Sequence, residues 1–229
     1  MITNPKVTTR LNTLIARIAD QFSINTLHKS PARFDIKKLL WFNEQYIKML
    51  SLEEFIERTQ KFWSILKLDI NNPTHKLSLI LDKNRINQLD QVGIESSVIW
   101  NYTPCDITEL KWKKSTQEES IQALRELTSL IEKSNLNLKT TLETNSNQSL
   151  EEAYQVKLNY WESTIKNYLV ENNLDYGAYL WPLRLALSGK AKSASSFEIL
   201  AILDAGSVME RLRGYLDQTL VKIKEVSES

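Results

Sequence analysis

The chain has 229 residues, with 29 Lys+Arg against 28 Asp+Glu and only five glycines and five prolines. Average usage is roughly 7% Gly and 5% Pro, so this scarcity of turn formers argues against a sandwich or barrel, and no GxGxxG or GxxxxGK phosphate loop occurs. A composition of 42% hydrophobic and 25% charged residues is that of a folded chain.

Several further classes are excluded. No apolar run is long enough for a bilayer span, and the N-terminus lacks the apolar core of a signal peptide. A cytoplasmic protein without membrane contact is expected. One cysteine, Cys105, forbids an internal disulfide, and with His28 and His75 far apart it offers no zinc site of standard spacing. The balanced charge hides an asymmetry. Residues 1–50 carry 8 basic and 3 acidic groups, whereas residues 101–180 carry 8 and 12. Cations gathered in one region can serve a polyanion even when net charge is near zero. Uneven solvated surface accounts for the same numbers.

The apolar spacing is helical along most of the chain. Leu11, Leu14, Ile15, Ile18 and Phe22 form a first stripe, ended near Pro31. A second runs from Ile36 to Leu50, with Asp35 as its cap. Trp41 and Tyr46, at helical spacing, read as core. Ser51–Glu54 is a capping box opening a third helix. Asn71–Thr74 is a turn with Thr74 capping the next helix, and another helical stretch covers residues 87–102. Ser115–Glu118 reads as a capping box before the stripe Ile121, Leu124, Leu127, Ile131. Residues 134–149, rich in Asn, Ser and Thr, read as a loop. Ser149–Glu152 opens a helix to about Glu171. Pro182 suits a first helical turn, Gly189 its C-terminal cap, Ser195–Glu198 one more capping box, and residues 204–225 a last helix. No alternating strand pattern appears. The expected fold class is all-α, an array of about ten helices.

Enzyme signatures are missing: there is no GxSxG, HExxH or CxxC. The carboxylate pairs Glu53/Glu54 and Glu118/Glu119 fall at helix starts, where capping and the helix dipole explain them. A helical binding or scaffold chain is the reading that remains.

Two segments are more specific. Residues 29–48 read KSPARFDIKKLLWFNEQYIK and residues 180–203 read LWPLRLALSGKAKSASSFEILAIL. Together, and with the weaker Leu110-Lys-Trp-Lys113, they resemble the C-terminal half of bacterial-type glutamyl-tRNA synthetases over about residues 20–220. The resemblance implies an anticodon-binding α-helix cage preceded by a stem-contacting helical part: residues 1–50 for the stem, 51–105 and 106–229 for two anticodon-binding subdomains. It implies tRNA-Glu as partner and a monomer. ATP and Mg²⁺ would serve the full enzyme, with no cofactor in this chain. The family's HIGH-like and KMSKS-like catalytic motifs are not among these 229 residues, so no catalytic residue is assigned here. A part of a longer synthetase and a free-standing tRNA-binding relative both fit. The competing class is a helical protein-interaction module.

By the same resemblance, Arg85 reads the first anticodon base and Arg184 contacts the anticodon, as do Ser193 and Ser196. A guanidinium suits this role because it bonds base edges in pairs and stacks on exposed bases. With Pro182 in a first turn, Arg184 would lie beside free backbone donors. Trp181 could stack on a base or pack in the core. Lys190 and Lys192 could face phosphate. The family places Pro after Ser193, and Ala194 here leaves that connector freer. In the first segment Lys29, Arg33, Lys37, Lys38 and Asn43 would touch the RNA backbone.

Overall fold

A computed structural model describes residues 16–17, 19–20, 34–66, 68–113, 115–143 and 148–227. The chain divides into two compact units, Met1–Lys37 and Lys38–Ser229. In the first, Ala16, Arg17, Ala19 and Asp20 are helical and exposed.

Nine α-helices and two short 3₁₀ turns, and no strand, occur among the described residues. They are α1 (Ile36–Lys48), α2 (Leu52–Trp63), α3 (Pro73–Lys83), α4 (Ser97–Trp100), α5 (Gln117–Glu143), α6 (Leu150–Glu171), α7 (Tyr176–Ser188), α8 (Ser196–Ile202) and α9 (Ala205–Ser227). The all-α expectation holds. The long helix α5 packs on α6, α7 and α9, while α6 and α7 both pack on α8. Helix α3 touches α6 and α8, joining α2–α4 to the later helices. One apolar core results, with Phe55, Leu79, Leu127, Trp161, Ile165, Leu187 and Tyr215 among its fully enclosed side chains.

Helix starts follow local hydrogen-bonding capacity. Ser51, Ser149 and Ser195 each form the expected reciprocal capping box, with Glu54, Glu152 and Glu198. The fourth is displaced by one residue. Thr116 and Glu119 exchange the two bonds, at 3.1 Å and 2.7 Å. Both overlapping tetrapeptides satisfy the same pattern, so the sequence left the choice open. Asn72, not Thr74, caps α3, and Pro73 takes the first helical position, where its missing N–H costs nothing.

The expected loop at 134–149 is largely helix, because α5 continues to Glu143. Ile131 and Leu138 are buried, and the Tyr160 hydroxyl donates to the Ser134 carbonyl at 2.8 Å. Packing against α6 outweighs the weak helix preference of Asn, Ser and Thr. Trp41 and Tyr46 also differ from expectation. They are 54% and 68% exposed on α1, where Ile47 is the buried residue. Helical spacing identifies a face but not whether a neighbouring element covers it.

A half-buried cation ties several segments. Arg211 on α9 donates to the carbonyls of Val98 (2.8 Å), Ile99 (2.6 Å) and Leu187, and its guanidinium lies 4.1 Å from the Tyr102 ring centre. It satisfies carbonyls near the ends of α4 and α7 that have no intrahelical partner. The end of α7 is thereby held in place, and the next residues form the connector to α8.

Candidate nucleic-acid interface

Helix α7 begins at Asp175, whose Oδ1 accepts the Ala178 N–H at 2.7 Å. Pro182 therefore lies inside the helix, not in its first turn. Its absent N–H forfeits one hydrogen bond, and burial of Leu183 and Leu185–Ser188 keeps the helix running past it. Arg184 consequently sits mid-helix. The expectation of free backbone donors beside it is corrected, because those donors belong to the turn after Asp175.

Gly189 ends α7 as expected. Its φ is +67°, in the left-handed region, and its N–H donates to the Leu185 carbonyl at 2.8 Å. A Cβ at this position would lie 1.8 Å from the Thr103 carbonyl oxygen. Close backbone approach and positive φ both require glycine. The connector that follows is pinned at its start: Ser188 Oγ lies 2.7 Å from the Arg184 carbonyl and accepts the Lys190 N–H at 3.0 Å. Lys190 and Lys192 are exposed, and Lys190 Nζ donates to Ser97 Oγ at 3.1 Å. Ser193 is half-buried, its hydroxyl 3.0 Å from the Ala194 carbonyl. Ala194 is fully buried, and Ser196 is 3% exposed. A base could reach Ser196 only if the start of α8 moved.

Arg85 is placed by the loop after α3. Buried Asp82 accepts the N–H groups of Gly93 (3.0 Å), Glu95 (2.9 Å) and Ser96 (3.3 Å), folding residues 84–96 back on α3. Burial pushes its carboxyl above the usual carboxylate range, and these bonds oppose that rise. The Arg85 Nη2 donates to both Glu198 oxygens, at 2.7 Å and 2.6 Å, and Nε lies 3.9 Å from Glu95. Burial pushes the Glu198 carboxyl up, but bonds from Arg85 and Ser195 outweigh this and hold it below its ordinary value. Asn43 on α1 donates its amide to the Asn87 carbonyl, so two of the predicted residues meet at one loop.

The third feature is an aromatic groove lined by Trp112, Tyr176, Gly177, Leu180, Trp181 and Arg184. The Trp112 and Trp181 rings are 5.1 Å apart and tilted by 41°. Trp181 is half-buried and anchored, its indole N–H donating to the Glu109 carbonyl at 3.0 Å. Trp112 lies against α7 where side-chain space is missing: a Cβ on Gly177 would stand 2.3 Å from its Nε1. Lys113 Nζ hovers 4.5 Å from the Trp112 ring centre. Aromatic faces flanked by cations suit unstacked bases. Trp112 was not singled out from sequence as a site residue, although Leu110-Lys-Trp-Lys113 marked its neighbourhood.

Residues 145–216, which include α7, the connector and α8, match the family described as an anticodon binding domain. The chain is 30% identical over 206 residues to a glutamate–tRNA ligase of Clostridium botulinum (strain Hall), covering 88% of this chain and 38% of that protein. It is 32% identical over 198 residues to a glutamate–tRNA ligase of Borrelia recurrentis, covering 83% and 35%. Over most of its length the chain is similar to glutamate–tRNA ligases, and its residues 145–216 match an anticodon binding domain. It spans about 38% of the length of the first of these ligases. The fold agrees with a crystal structure of a glutamate tRNA ligase from Elizabethkingia meningosepticum, with a TM-score of 0.58 at 20% identity, covering 86% of this chain and 35% of the other.

Not all of the predicted residues come together. Arg184 and Trp181 share the groove, and Lys190, Lys192 and Ser193 share the connector. Arg85 joins α8 through Glu198. Lys38 is exposed on α1, its Nζ 6.0 Å from the Phe42 ring centre, and Lys37 belongs to the other unit. Lys29 and Arg33 lie outside the described residues. Among the described residues there is no cluster of three or more His, Cys, Asp or Glu able to hold a metal, and no helix is long and apolar enough to cross a membrane.

Proposed function

We propose that this chain is a cytoplasmic, monomeric module that binds tRNA-Glu through the anticodon. The observation that carries the reading is the overlap of the anticodon-binding match, residues 145–216, with the α7–connector–α8 segment. In this reading Arg184 and Trp181 contact bases at the groove, Ser193 bonds a base at the connector, and Arg85 contacts a base from the neighbouring loop. Lys190 and Lys192 serve phosphate. Asn43, Lys37 and Lys38 serve the RNA backbone. With no HIGH-like or KMSKS-like motif in its sequence, the chain alone binds and does not charge. In a ligase that contains such a domain, ATP and Mg²⁺ would serve the charging reaction.

The test is a titration against tRNA-Glu transcripts with native and altered anticodons at several salt concentrations. The expected result is anticodon-dependent binding that weakens linearly in log–log form with salt. Arg184→Ala is expected to cost roughly 1–3 kcal/mol and to relax discrimination at one base. Binding indifferent to both anticodon and salt would overturn the reading. It would favour a protein-interaction module, for which one observation speaks: Leu39, Trp41, Phe42, Tyr46 and Met49 stand exposed on or just after α1.

A further inference from the structure

We infer that Glu198 is a specificity-determining residue that, by pairing with Arg85, turns this guanidinium from a phosphate contact into a reader of base edges. The inference rests on the tRNA-binding reading above. A lone guanidinium binds phosphate well, because its parallel N–H groups match two phosphate oxygens. Arg85 is not alone. Nη2 is committed to both Glu198 oxygens, and the Glu95 carboxylate stands 3.9 Å from Nε. One cation between two carboxylates leaves a local charge of −1, and an approaching phosphate meets net repulsion.

The remaining hydrogen-bonding capacity has a different character. Nη1 meets the Leu81 carbonyl at a long 3.4 Å and retains donor capacity. Glu198 Oε1 accepts from Arg85 and, as a carboxylate oxygen, has a further lone pair. The two side chains are 31% and 15% exposed. A donor beside an acceptor complements a nucleobase edge, which presents both. A phosphate presents acceptors only.

Glu198 is not free to swing aside. Its Oε2 accepts the Ser195 N–H at 2.9 Å and the Ser195 hydroxyl at 2.8 Å. The capping box of α8 thus fixes the carboxylate, and the carboxylate fixes Arg85, 113 positions earlier in the chain. Lys190 and Lys192 differ. They are exposed, and among the described residues neither is ion-paired.

The experiment measures binding of the full chain to tRNA-Glu transcripts, native and with single anticodon substitutions, across a salt series. Each phosphate contact to single-stranded RNA contributes about 0.7 to the slope of log K against log salt. Removing Lys190 and Lys192 together is expected to make the slope shallower. Arg85→Ala is expected to leave the slope unchanged and to reduce discrimination at one base about tenfold. Glu198→Gln keeps a residue that can complete the capping box but frees the Arg85 charge. The slope is expected to steepen by about 0.7 while discrimination falls.

A shallower slope for Arg85→Ala would overturn the inference, as would a Glu198→Gln protein that behaves like the parent. Should Glu198→Gln lose its helical circular dichroism, Arg85→Lys decides: it keeps the charge and loses the planar fork, so lost discrimination at constant slope supports the inference and retained discrimination overturns it. A parent chain with neither anticodon preference nor salt slope would overturn the tRNA reading as well, whereas a discriminating parent with unaffected variants would sink this inference alone.

Discussion

The two motif segments of this chain are equally conspicuous in sequence and differ sharply in structure. In α7, Pro182, Leu183 and Leu185–Ser188 are all buried, and the connector beyond is held by Gly189, Ser188 and the Arg211 bonds. In α1, Ile47 is buried while Leu39, Trp41, Phe42 and Tyr46 are between 44% and 68% exposed. The first helix derives its position from packing on α5, α8 and α9. Among the described residues, the second reaches the loop after α3 through the Asn43–Asn87 bond. A strong motif therefore marks residue types in order, while neighbouring elements decide which of them become core.

Substitutions can break or sharpen that contrast. The largest effect is expected inside the core. Trp161→Ala removes a side chain only 2% exposed and should cost about 3–5 kcal/mol in urea denaturation, whereas Trp41→Ala on α1 should stay within about 0.5 kcal/mol. Equal costs for the two tryptophans would erase the distinction. Gly189→Ala comes next, expected to cost more than about 2 kcal/mol because positive φ and the Thr103 carbonyl both resist a Cβ. A neutral result would mean that the connector relaxes freely. A smaller effect concerns acid. The folded-state pKa values of Glu198 and Asp204 are depressed: for Glu198 bonds from Arg85 and Ser195 outweigh burial, and for Asp204 the Ser207 hydroxyl and backbone bonds do so. Their contribution to stability is full above the unfolded carboxylate values and is lost as pH falls through the lower folded values. The stability gap between the parent and Glu198→Gln should narrow on acidification from neutral pH toward pH 3, within about 1–2 kcal/mol.

Much of the fold was legible because it depends on local chemistry. Three serine capping boxes, the Gly189 cap and the apolar stripes need only neighbouring residues to act. What the sequence did not reveal is non-local. The extension of α5 through its Asn- and Ser-rich stretch depends on α6 packing against it. Pro182 suits a helix start by its own chemistry, whereas α7 starts at Asp175 and runs through the proline because Leu183 and Leu185–Ser188 are buried. The candidate site followed the same division. Its residue types were readable, while the pairing of Arg85 with Glu198 and the seat of Trp112 required the folded chain.

Footprinting of tRNA-Glu in the presence of the chain, with a backbone-cleaving probe, tests the central claim most directly. Protection concentrated in the anticodon loop, lost when Lys190 and Lys192 are replaced together, is the result predicted. Protection confined to other parts of the tRNA, or none at concentrations where the chain is folded, would contradict it.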